Sequence, residues 1–237
     1  MLETNSQRNG DPEWVHAWTA QLQPISFSQV DADPSRIAVF STDMLVGFCQ
    51  SGALASERVG ALERPVARLF ESAWQYGVRE FVLTQDTHSL ATPEFEAWPV
   101  HCVAGTSESQ TVSSLTDLPF SRSFTIIAKN SLHPAIGTEF AAWLDDHLDI
   151  ETAIVVGNCT DLCVYQLAMY LRMRANAFDL AGYEVIVPAD CVDTFDLRAD
   201  TARSISAFAH PGDFYHDVFL HHMALNGVRV VSTIEAG

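Results

Sequence analysis

Four apolar runs in this chain each lead to a side chain fit for chemistry. Asp43 closes IAVFSTD, Asp86 and His88 follow REFVLT, Lys129 closes SFTIIAK, and Cys163 lies just past TAIVVG in GNCTDLCV. A thiol can attack a carbonyl carbon. A carboxylate can take the thiol's proton and later give it to a leaving amine. A nearby ammonium favours both anions. Amide hydrolysis through a covalent intermediate is the chemistry that such a set could perform. Asp86-Thr-His88 adds a second theme, because residues two apart in extended chain point the same way and can face one ion. His101, in EFEAWPVHCVAG, is a third candidate ligand, and Glu94 is a fourth with Glu96 as its competitor. Imidazoles and carboxylates with an open position suit zinc, iron or manganese.

Each residue also has a plainer reading. A cysteine is more often a small buried hydrophobe than a nucleophile. Asp43 alone reads as a turn or capping aspartate, Lys129 as a solvated lysine, and His101 as a hydrogen-bonded structural histidine. Cys159 and Cys163 form a Cys-x3-Cys pair, but no second pair completes a metal site. What raises Asp43, Lys129 and Cys163 together is their shared position at strand ends. An open parallel sheet gathers those ends along one edge, and ligands bind in the crevice outside them.

The elements that would position these residues are legible from residue 36 onward. Short β-rich runs at 36–42, 79–84, 123–128, 152–156, 183–187 and 228–232 alternate with amphipathic stretches at 58–77, 137–148, 161–176 and 198–226. Leu62, Val66, Leu69, Phe70 and Ala73 share one helical face. The strand runs are almost continuously apolar, as strands covered on both faces are. Alternation of this kind implies a parallel sheet with right-handed crossovers. We therefore expect an α/β fold, a three-layer αβα sandwich around a mostly parallel six-stranded sheet. The stretch 85–122 lacks periodicity and reads as a long functional loop. Residues 1–34 read as an irregular N-terminal arm, and 35–237 as a single domain. Thr160 or Asp161 is expected to cap the helix that begins at Cys163, whose dipole should lower the thiol's pKa.

Composition excludes several function classes. The chain has 237 residues, with 13 Lys+Arg against 30 Asp+Glu and a net charge of −17. Such a surface repels nucleic acid and anionic lipid. No apolar run approaches the ~18 residues of a membrane span. The polar opening MLETNSQRNGDPEW carries no secretory signal pattern, and five cysteines without a disulfide spacing suit a cytoplasmic protein with reduced thiols. The expected partner is a small-molecule amide, with no nucleic acid and no membrane.

These segments together resemble the isochorismatase-like cysteine hydrolases, and within them the nicotinamidases. The resemblance runs over residues 36–234. FSTDMLVGFC is similar to the first-strand motif with the catalytic aspartate, TQDTH and WPVHCVAGT to the metal segments, SFTIIAKNS to the catalytic lysine segment, and VVGNCTDLCV to the nucleophile segment. TFDL and AHPGDFYHDVFLHHMA look most like the plant-type members. The resemblance implies catalytic roles for Asp43, Lys129 and Cys163. It implies metal ligands Asp86, His88 and His101 with Glu94 as the fourth, and a divalent metal, zinc before iron or manganese. It further implies a ring-sandwiching pair, Phe48 and Trp98, and a cis peptide between Asn158 and Cys159. That peptide would aim the backbone N–H groups of Cys159 and Cys163 at an oxyanion. The implied activity is hydrolysis of nicotinamide to nicotinate and ammonia through a thioester, within pyridine nucleotide salvage, by a homo-oligomer. The family usually carries polar residues where this chain has Leu45-Val46-Gly47.

Three rivals share the scaffold. A metal-free amidase acting on an N-carbamoyl, ureido or maleamate-type amide would not need Asp86, His88 and His101. A non-catalytic binding protein would be free to lose one of the catalytic trio. Isochorismate hydrolysis belongs to a branch without the cysteine. Cys49, Cys102 and Cys191 read as structural, and His210, His216, His221 and His222 as packing or interface residues.

Overall fold

The structure is a computed structural model that describes residues 12–236. The polar opening read for a targeting signal, and so part of the expected arm, lies largely outside the described residues. Helix α1 (Pro12–Thr19) leads to strand β1 (Ile25–Ser26) and the single turn α2 (Phe27–Val30). The sheet begins with β2 (Ile37–Thr42), followed by the short helices α3 (Val46–Cys49) and α4 (Glu57–Gly60), the long α5 (Glu63–Tyr76) and β3 (Glu80–Asp86). After a long irregular stretch come α6 (Ser113–Thr116), β4 (Thr125–Lys129), α7 (Phe140–Asp146), β5 (Thr152–Asn158) and α8 (Cys163–Ala177). The chain then forms β6 (Glu184–Pro188), β7 (Val192–Asp193), α9 (Ala199–Ser204), α10 (Gly212–Leu225), β8 (Arg229–Val231) and β9 (Ile234–Glu235).

The main sheet has the order β4-β3-β2-β5-β6-β8, with the short β7 also pairing with β5. Every pairing in it is parallel. The six expected strands are those of this path. The inner strands β2, β3, β5 and β6 are buried on both faces, and their alternate residues enter two cores, whereas the edge strands β4 and β8 are partly exposed. Ile37, Val39, Phe81, Leu83, Ile154 and Val156 pack with Val66, Leu69, Phe70 and Ala73 of α5. Ala38, Phe40, Val82, Ala153 and Val155 pack with Phe140 and Leu144 of α7, with α8, and with Leu220 and Met223 of α10. This is a three-layer αβα sandwich, as the unbroken apolar runs require.

Several expectations are corrected. The described residues before 35 are not irregular: α1 packs against α10, β1 pairs with β9, and Ile25, Phe27 and Val30 are buried. The apolar faces of Phe27 and Val30 are what tie it down. The expected helix at 58–77 breaks after Gly60, and that at 198–226 is two helices, α9 and α10, separated around His210-Pro211. Proline lacks the donor that a continuous helix would need there. Strand β3 runs to Asp86, two residues past the apolar run, because Asp86 stays in register with Lys129.

Candidate active site

Strand order alone brings the chemistry together. From β2 the chain proceeds outward through β3 to β4, then crosses to the opposite side for β5 and β6. The gap between the carboxyl ends of β2 and β5 is therefore a topological switch point, where open sheets bind ligands. Asp43 leaves β2 on one side of it, and the turn carrying Cys163 leaves β5 on the other. Register aligns Thr42 with both Thr84 and Gly157, and Asp86 with Lys129. Gly157 has φ 112°, and a Cβ there would lie 2.1 Å from the Thr42 carbonyl oxygen. Only glycine permits that approach of β5 to β2.

At this edge Asp43, Asp86, Lys129 and Cys163 are all buried. Lys129 Nζ lies 2.8 Å from Asp43 Oδ2, 2.5 Å from Asp86 Oδ1 and 3.6 Å from Cys163 Sγ. One oxygen of each aspartate and the Cys163 sulfur lie within 4.8 Å of one another. Asp43 is held by its own surroundings: Oδ1 accepts from the Asp86 amide at 2.8 Å, and its carbonyl accepts from Asn158 Nδ2 at 2.6 Å. Lys129 is thus no solvated lysine. Two carboxylates overcome its burial and hold its ammonium well above the usual range. Burial, joined by the charge of Asp86, pushes the Asp43 carboxyl up.

Cys163 corrects an expectation. It opens α8, but burial and the two carboxylates outweigh the helix dipole and Lys129 and push its thiol well above its ordinary value. Dipole effects are worth at most about 2 kcal/mol even when partly buried, whereas desolvation can move a buried group by several pKa units. The expected caps are absent as well. Leu162 stands at the N-cap, while Thr160 Oγ1 pairs with His216 Nδ1 at 2.9 Å and Asp161 pairs with His210. The Asn158–Cys159 peptide is cis. Around the turn, the Thr160 amide donates to Asp193 O, and the Leu162 and Val164 amides donate to Cys159 O. The amides of Cys159 and Cys163 take no part in these bonds.

Beside Asp86 a second group converges. One donor atom each from Asp86, His88, Glu94 and His101 lies within 4.8 Å of the others. His88 sits on a parallel bridge to Val103, which carries the preceding His101 alongside. A 3-10 turn over Pro93–Glu96 turns Glu94 inward and leaves Glu96 exposed. His88 Nε2 is 3.4 Å from Asp86 Oδ2 and 3.8 Å from Glu94 Oε1; His101 Nε2 is 3.8 and 4.0 Å from the same atoms.

Hydrogen bonding on the far side of each ring shows what belongs between them. Asn130 Oδ1 accepts from the Ser89 amide at 3.0 Å, so it is an oxygen, and His88 Nδ1 at 3.2 Å must donate to it. His101 Nδ1 is 2.8 Å from the Pro99 carbonyl and must donate as well. In the neutral rings both Nε2 lone pairs then face carboxylate oxygens. His88 Nε2 and Glu94 Oε1 are buried without a hydrogen-bond partner. Three carboxylates against one ammonium leave two negative charges across the two clusters, which a divalent cation cancels. The donor set fits such an ion.

Phe48 is buried with its ring 5.5 Å from that of His101, and Trp98 meets Phe195 edge-on at 6.0 Å. Cys49, Cys102 and Cys191 are buried and unpaired, as expected of structural cysteines. Sequence reasoning missed Asn130, and it read Asp161 as a cap and His210 as a packing residue without pairing them. The position of Asn130 next to Lys129 was a usable signal; His210, 47 residues from Cys163, offered none.

A parallel αβα sandwich with a buried Cys-Asp-Lys cluster beside four convergent metal donors defines a class of hydrolytic sites. The isochorismatase domain matches residues 37–235, and the chain belongs to the isochorismatase family of hydrolases. It is 30% identical over 217 residues to Nicotinamidase 1 of Arabidopsis thaliana, covering 84% of this chain and 87% of that protein. Among solved structures it is similar to the pyrazinamidase of Pyrococcus horikoshii in complex with zinc, with TM-score 0.63, 23% identity, and 83% of this chain and 98% of that one covered. It is equally similar to the N-carbamoylsarcosine amidase of Thermoplasma acidophilum, with TM-score 0.63, 22% identity, and 84% and 98% covered. At such identities the two structures speak for the fold.

Proposed function

We propose that this protein is a metal-dependent cysteine amidohydrolase that converts nicotinamide to nicotinate and ammonia. The observation that carries the reading is the placement of Cys163, Asp43 and Lys129 within one buried cluster that shares Asp86 with the four-donor site. Similarity to the plant nicotinamidase supports the substrate. A metal-free amidase would have no use for two imidazoles whose lone pairs face carboxylates.

In this mechanism Cys163 enters as a thiol, and Asp43 takes its proton as the sulfur attacks the carboxamide carbon. A base with a raised pKa matches a thiol with a raised pKa, so the proton can pass without first forming a free thiolate. The Cys159 and Cys163 amides stabilise the negative oxygen; removing one such donor costs about 100-fold or more. Asp43 returns the proton to the departing ammonia, leaving a thioester on Cys163. Asp43 then takes a proton from the water that attacks the thioester and passes it to the Cys163 sulfur as the acid product leaves, which restores the thiol and the carboxylate. Lys129 keeps its charge throughout and offsets the oxyanion and Asp43. Phe48 and Trp98 hold the pyridine ring. Asp86, His88, Glu94 and His101 would hold a divalent ion, which would supply Lewis acidity for orienting the substrate and a water.

The test is ammonia release from nicotinamide, pyrazinamide, ureidoacrylate and maleamate, with and without chelator. Nicotinamide turnover lost to chelator and restored by zinc is the expected result. Chelator-resistant turnover of ureidoacrylate or maleamate in preference to nicotinamide would favour the metal-free reading. Cys163→Ala should abolish turnover while thermal unfolding and metal content stay unchanged; residual turnover removes the nucleophile assignment.

A further inference from the structure

We propose that His210 is a positioning residue of the hydrolytic site: as an imidazolium it ties Asp161, in the turn between Cys159 and Cys163, to the backbone of Phe195. The proposal rests on hydrolysis through Cys163 and adds a residue from the C-terminal segment to it.

The hydrogen bonds set the charge. His210 Nδ1 lies 2.8 Å from the Phe195 carbonyl oxygen, and Nε2 lies 2.8 Å from Asp161 Oδ2. A carbonyl oxygen accepts only, and so does an ionised carboxylate. Burial works against a charge on Asp161, but the His210 hydrogen bond lowers its carboxyl from the ordinary value, which favours the carboxylate. A neutral imidazole has one N–H and would leave a lone pair facing oxygen at one of the two contacts; the doubly protonated ring donates to both. The ring is also sandwiched. Phe195 stacks on it at 3.8 Å and 16°, and Tyr215 at 4.5 Å and 27°. Aromatic faces stabilise a cation placed between them. The His210 backbone is anchored, exchanging 2.8 Å hydrogen bonds with Leu197 in both directions.

The location gives this link a consequence. Asp161 lies two residues from each of the two amides assigned to the oxyanion. Phe195 is the residue that Trp98 meets edge-on. One ring therefore sets the turn relative to the backbone of Phe195. An oxyanion exists only during the reaction, so misplaced amides lower kcat and leave substrate binding largely intact.

His210→Phe keeps the stack and loses both hydrogen bonds; His210→Gln keeps a donor. Steady-state kinetics on nicotinamide should show kcat reduced on the order of 10- to 100-fold in His210→Phe, with KM nearly unchanged, and a smaller loss in His210→Gln. Asp161→Asn should cost about as much, and the double variant no more than either single change. Unchanged kcat in a folded His210→Phe protein overturns the proposal. Nitrogen-15 NMR of native protein at neutral pH provides a readout that needs neither substrate nor variant. Both His210 ring nitrogens should be protonated, and a singly protonated ring overturns the proposal even if the variants fail to fold. Native protein inactive on every amide would sink the proposed function, while the ring nitrogens would still decide the charge of the link.

Discussion

In the proposed mechanism Asp43 and Cys163 exchange a proton, and burial has made both groups reluctant to ionise. Asp43 must be ionised to accept the thiol proton, and its carboxyl is raised above 3.8, first by burial and then by the charge of Asp86. Loss of its charge on acidification removes the base. We expect kcat/KM to fall as pH drops through a value above 3.8, measured by initial rates across pH in constant ionic strength. The thiol is raised as well, so its own ionisation should not shape the profile near neutrality. Asn130 acts through His88. Its oxygen fixes which ring nitrogen carries the proton and leaves the Nε2 lone pair available to the proposed metal. Asn130→Ala should weaken divalent-ion binding about 10- to 100-fold, as losses of such orienting partners do, read by titrating metal-free protein with zinc.

At the scale of elements, adjacent strands deliver one functional group each, and their spacing is set by backbone contact. At Gly157 β5 lies so near β2 that a Cβ would fall 2.1 Å from the Thr42 carbonyl oxygen. Gly157→Ala places a Cβ against the Thr42 carbonyl in a φ region that alanine disfavours, and β2 and β5 must separate. Asp43 and the nucleophile turn are carried by those two strands. A stability loss of about 1–3 kcal/mol is expected from overpacking, measured by urea unfolding. A fall in kcat should remain after correction for the unfolded fraction. If kcat per folded molecule is unchanged, strand spacing does not set the catalytic geometry.

Across the whole molecule, the ends of the described chain close on each other. β1 pairs with β9, Phe27 stacks on Tyr76 at 5.4 Å, and the Tyr76 hydroxyl donates to Asp31 O at 2.7 Å. Ile25, Phe27 and Val30 belong to the same core as α5. Deleting residues 1–34 removes those three buried side chains. Burial of each such side chain contributes about 1.5–3 kcal/mol, so the deletion should cost on the order of 5 kcal/mol. The urea midpoint of the truncated protein checks this; an unchanged midpoint would make the segment a dispensable arm. No helix among the described residues is long and apolar enough to cross a membrane.

Much of this was readable from residues alone. The apolar runs specified six strands and a parallel sheet, since only strands covered on both faces are apolar throughout. Asp43, Asp86, His88, Glu94, His101, Lys129 and Cys163 were all candidates by type and position. Periodicity could not reveal the packing of the first described residues, because α1, β1 and α2 are too short to show a period. The break at Pro211 was visible, but its purpose was not. What only tertiary structure decided was charge and reach. The helix dipole argued for a reactive thiolate at Cys163, and burial beside two carboxylates reversed that sign. Glu94 rather than Glu96, the orientation of Asn130 and the pairing of His210 with Asp161 depend on which atoms lie within about 3–4 Å. Sequence patterns register the faces and ends of elements, whereas electrostatic energies follow distance and solvent exclusion, which exist only once the elements are packed.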